Sequence, residues 1–63
     1  MTLAHMKELL MESVEANGEA IGGLITSVDE NHTAIMNLGG MVMENMEAID
    51  DLETKAMNNM MAL

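Results

Sequence analysis

Residues 14–45 read VEANGEAIGGLITSVDENHTAIMNLGGMVMEN, and the spacing within this stretch decides the fold. Val14, Ile21, Val28, Ile35 and Val42 stand seven residues apart, and three places after each comes Asn17, Leu24, Asn31, Leu38 or Asn45. The rhythm extends in both directions. Calling the first set position a and the second position d, the a series continues through Ile49, Ala56 and Leu63, and Lys7 precedes it. The d series begins at Leu3 and Leu10 and continues through Leu52 and Asn59, with Leu and Asn alternating from Leu10 onward. The true repeat is therefore fourteen residues long, two heptads that differ in the residue at d.

An apolar seam recurring every 3.5 residues is the signature of an α-helical coiled coil, because left-handed supercoiling keeps such a seam against its partner. The expected fold is all-α: a single long helix forming a parallel, trimeric, left-handed coiled coil. Residues 1–63 form one coiled-coil segment, with 1–9 a divergent or frayed N-terminal docking end. A helix over the whole chain would be a rod of roughly 95 Å at 1.5 Å rise per residue.

The outer positions fit the same frame. Ten of the eleven acidic residues fall at b, c and f, which face away from the seam, and Glu53 at e is the exception. Such charge is a solvated face first and a cation site second. Glu44, Glu47, Asp50, Asp51 and Glu53 are the densest acidic cluster, but they lack the alternating Asp/Asn and central Gly of a calcium loop.

Composition agrees with this frame and excludes other classes. The chain of 63 residues has no Cys, Pro, Phe, Tyr or Trp, so disulfides, thiolate metal sites and a ring-anchored globular core are all ruled out. A chain this short needs a staple, and with 49% hydrophobic residues the one left is oligomerisation. A net charge of −9, with only Lys7 and Lys55 as cations, repels nucleic acid and anionic membranes. Neither a membrane-spanning run nor a secretory signal is expected, since the longest stretch free of Asp, Glu, Lys and Arg is Asn31–Met43 and includes Asn, His and Gly.

Five glycines oppose the helix, each costing about 1 kcal/mol relative to Ala in a helix interior. Asn17-Gly18 and the Asn37–Gly40 stretch could each end a helix and reverse the chain into a small antiparallel bundle. The heptad phase argues for continuity, because Ile21, Leu24, Val28 and Ile35, Leu38, Val42 step across the Gly pairs with no skipped residue.

Val or Ile at a with Leu at d favours two strands, but the flanking e and g positions favour more. Of eighteen such positions only Glu53 and Lys55 are charged. Met11, Ala20, Ile25, Ala34, Met41 and Met46 are typical of the rest, so each helix carries a seam wider than one partner covers. Asn17, Asn31, Asn45 and Asn59 at d need amide partners, since a buried unsatisfied polar group costs about 1–3 kcal/mol. Parallel strands in register put identical Asn on one level, where they bond to one another, to axial water or to an anion. A slip of one heptad would set Asn against Leu, so the alternation fixes register.

The segments Val14-Glu-Ala-Asn17, Val28-Asp-Glu-Asn31 and Val42-Met-Glu-Asn45 resemble the Val-x-x-Asn heptads of trimeric fibrous coiled coils. These are the bacteriophage fibres and fibritin-like whiskers, and the stalks of trimeric autotransporter adhesins. The resemblance covers roughly residues 10–63 and implies a parallel three-stranded coil whose d-position Asn face the axis and can hold chloride. Stalk heptads often follow that Asn with Thr. Here Gly18, His32, Met46 and Met60 follow, which favours water over the anion.

Other candidates carry less. His5 and His32 sit at f and e without a second His at helical spacing, so a surface role outweighs metal binding. A ring of His32 beside the Asn31 layer would sense pH. Ser13, Ser27 and the threonines have no paired base in the same turn, and no catalysis is expected. The ten methionines fill gaps in the seam or offer an adaptable docking face, best placed at Met36, Gly39, Gly40 and Met43.

The expected function is structural: a homotrimeric stalk, whisker or clamp that docks on another structural protein. The resemblance places it in a bacteriophage virion, with cytoplasm as the other location. No cofactor is expected beyond chloride or water on the axis. The alternative is a small acidic cytoplasmic adaptor or inhibitor that binds a partner helix.

Overall fold

A computed structural model describes all residues Met1–Leu63 and contains one element, α1, an α-helix over Leu3–Met61. The chain is all-α, and α1 passes through every glycine. None of the five has positive φ, so neither Asn17-Gly18 nor Asn37–Gly40 forms the left-handed cap that a chain reversal would use. The hairpin alternative is excluded for this structure.

The chain divides into two units, Met1–His32 and Thr33–Leu63. In the first, Thr2 caps the helix. Its hydroxyl accepts a hydrogen bond from the His5 backbone N–H at 3.1 Å, and its carbonyl accepts from the Met6 N–H at 3.0 Å. One of the orphan donors of the first turn is thereby satisfied. Further along, the Thr26 hydroxyl donates to the Gly22 carbonyl at 3.2 Å, a bond one turn back along the helix.

In the second unit, Lys55 and Asp51 form an ion pair of 3.0 Å at i, i+4 spacing with the acid on the N-terminal side. That order suits the helix dipole, but both side chains are about two-thirds exposed, and such a pair contributes only about 0.3–0.5 kcal/mol. The helix ends with the Ala62 N–H donating to Asn58 and the Leu63 N–H to Met60, the latter a tightened last turn at 3.3 Å.

No residue of either unit is buried. The helix thus has backbone hydrogen bonds and a favourable cap but no tertiary core. Most helical stability in proteins comes from packing an apolar face, and helical propensity is weak support for a segment containing five glycines.

Candidate association surface

The a and d side chains are the features that need an explanation. Val14, Ile21, Leu24, Val28, Ile35 and Leu38 are between 57% and 70% exposed, and Val42, Ile49 and Leu52 between 55% and 63%. Full burial of one such side chain contributes about 1.5–3 kcal/mol, so this seam is a large unrealised driving force. Isolated exposed apolar residues are ordinary on a protein surface, whereas a contiguous stripe of them marks an interaction site.

The seam is grooved between its larger side chains. One depression lies among Leu3, Met6, Leu10, Met11 and Val14, and another among Ile21, Leu24, Ile25, Val28 and His32. Both combine a, d and e positions with one acid at b, Glu15 in the first and Asp29 in the second, and the a and d residues of each face the side from which a coiled-coil partner's side chain would enter. Because an ideal helix has 3.6 residues per turn, a strict seven-residue pattern drifts about 20° per heptad around it, and supercoiling removes that drift.

Asn17, Asn31, Asn45 and Asn59 are exposed, and their side-chain amides make no hydrogen bond within the chain. They share the d register with Leu10, Leu24, Leu38 and Leu52, so amide and isobutyl groups alternate along one line. Successive Asn are fourteen residues apart, about 21 Å along a helix. Each amide offers two donors and an acceptor, which fits another Asn, water or a halide at the same level.

His5 on the outer face and His32 beside the seam are both exposed, and no group of three His, Cys, Asp or Glu converges on a metal position. Met36, Gly39, Gly40 and Met43 are exposed in the second unit. A Cβ added at any of the five glycines would meet nothing within 4 Å, so nothing within the chain requires their small size. No helix is long and apolar enough to cross a membrane. Heptad spacing did not reveal the Thr2 cap or the Asp51–Lys55 pair, although Thr one residue before the first apolar position and acid–base i, i+4 spacing were both available as signals.

Comparison of the chain with protein-family models, with curated proteins and with solved structures finds no match.

Proposed function

We propose that the chain is a structural oligomerisation protein, a parallel, in-register homotrimeric coiled coil serving as a stalk, whisker or clamp in a larger assembly. The observation that carries this reading is the unbroken Leu/Asn alternation at d beside an aliphatic a series, all of it exposed on α1.

Orientation follows from where the amides can go. In an antiparallel pairing, a layers face d layers, so Asn17, Asn31, Asn45 and Asn59 would meet aliphatic side chains in almost every register, since Lys7 is the one polar residue at a. In a parallel pairing the Asn meet their own kind. A seven-residue slip opposes Asn and Leu at every d level from Leu10 onward. A fourteen-residue slip restores the match but uncovers two a and two d layers at each end, each worth about 1.5–3 kcal/mol per side chain when fully buried. Full register therefore wins.

Strand number follows from the flanks. Small and apolar residues at e and g widen the buried face beyond what a two-stranded coil covers, and three strands bury more of it. The similarity of the Val-x-x-Asn heptads to phage fibre and whisker proteins supports placement in a virion, and another structural protein as docking partner. Asn amides on the axis supply donors suited to chloride or water, and each chain's own residues do the remaining work of association and register.

The test is a pair of single-label distance measurements. Spin labels at Glu12→Cys and, separately, at Glu47→Cys lie at f, outside the seam. A parallel in-register assembly gives a short like-to-like distance at both positions. A long distance at either one contradicts it.

A further inference from the structure

The second unit carries an apolar stripe along one edge of the seam and beyond it. Met36, Met43 and Met57 occupy b, while Met46 and Met60 occupy e, so all five share one flank of the helix. They are between 62% and 71% exposed. Position b lies outside the a/d core of a two- or three-stranded coiled coil, so assembly through the seam leaves Met36, Met43 and Met57 in water, with Met46 and Met60 at its edge. In the middle of the stripe the same flank changes character: Asp50 at b and Glu53 at e separate Met43 and Met46 from Met57 and Met60.

This flank is acidic at its centre, where Asp50 and Glu53 stand, with Glu47 beside them at f and Glu44 and Asp51 at c on the other side of the helix. The one cation of residues 33–63, Lys55, is already paired with Asp51. The equivalent flank of the first unit carries Glu8, Glu15 and Asp29 at b where the second has Met. Five of the ten methionines thus stand on this one flank of the second unit. Met is the adaptable apolar residue, suited to a surface that must fit a partner's side chains.

We infer that the Met36–Met60 flank is a docking surface for a basic amphipathic helix of another protein. The complementary helix has two apolar clusters about fourteen residues apart, facing Met43/Met46 and Met57/Met60, with Lys or Arg between them facing Asp50 and Glu53. Charge complementarity selects the occupant: a second copy of this acidic chain would bring carboxylates against Asp50 and Glu53, and an anionic lipid surface would be repelled. The surface narrows the docking partner of the proposed structural role to one chemistry, and rests on that reading for the assignment of b and e as a flank.

The probe is a synthetic helical peptide with two Leu pairs on one face, fourteen residues apart, and two Arg between them on that face. Its control has the same composition, with Arg at the outer positions and Leu in the centre. Binding to the full chain is measured by calorimetry, with the assembly mass recorded in the same samples. The patterned peptide is expected to bind at least tenfold tighter than its control. Met43→Gln combined with Met57→Gln, and Asp50→Asn combined with Glu53→Gln, should each remove that tenfold preference with assembly mass unchanged. Equal binding of the two peptides, or a preference that survives both double variants, overturns the docking surface. A mass other than three chains overturns the trimer and leaves the peptide comparison to decide the surface independently.

Discussion

Asn31 occupies a level of the seam at which Leu would associate more strongly, and the difference is informative. Replacing Asn31 alone with Leu fills one layer with hydrocarbon and removes amides that must be satisfied, so the thermal midpoint followed by circular dichroism should rise. The other three Asn layers still hold register, and assembly mass should not change. Replacing Asn17, Asn31, Asn45 and Asn59 together should raise the midpoint further but yield several species by native mass spectrometry, because a seven-residue slip then costs only the end layers it uncovers and no mismatch of amide against isobutyl. A fall in midpoint for Asn31→Leu would mean that the amides contribute to affinity as well as to specificity. At the N-terminus, Thr2→Ala removes the acceptor of the His5 N–H, a loss of about 1 kcal/mol that hydrogen exchange should report as fraying confined to the first turn. Unchanged protection there would show that the cap contributes nothing measurable.

For the single element, continuity was legible in the sequence for a reason that propensity alone would have missed. Gly22 and Gly23 together disfavour a helix by about 2 kcal/mol relative to two Ala. Yet Ile21, Leu24 and Val28 hold phase across them, and α1 continues through both. The heptad phase carried more information than any local breaker signal. The ends were less legible, because Thr2 and the last turn are set by local hydrogen bonds that a periodic pattern does not encode. Since a Cβ at Gly22 or Gly23 meets nothing within 4 Å, Gly22→Ala with Gly23→Ala should raise helix content and stability by about 1 kcal/mol per site. Both sites are at b and c, away from the seam. If the double variant loses stability or assembly, another chain approaches the backbone there closely enough to need glycine.

At the scale of the whole molecule, the proposed association would take out of water an apolar seam that α1 leaves exposed along its length. The face of the helix on which the a and d residues stand is legible from spacing alone, because a period of 3.5 keeps each register position on one side of the helix. Strand number and partner identity are different in kind, since they depend on surfaces of other chains. In the proposed assembly the acidic outer faces repel between strands, each chain bringing a net charge of −9. Raising NaCl from low concentration to about 0.5 M should therefore raise the thermal midpoint, as screening shortens the reach of that repulsion. A midpoint that falls with salt would point instead to ion pairs between chains as a source of affinity.

The central claim is that three copies of this chain associate through the Val/Ile–Leu/Asn seam, and the mass of the purified assembly tests it most directly. Native mass spectrometry, or light scattering with refractive-index detection for a chain without Trp or Tyr, should give three times the 6.8 kDa of one chain. A monomer that gains helix only when a partner is added, or a stable dimer, would contradict the account.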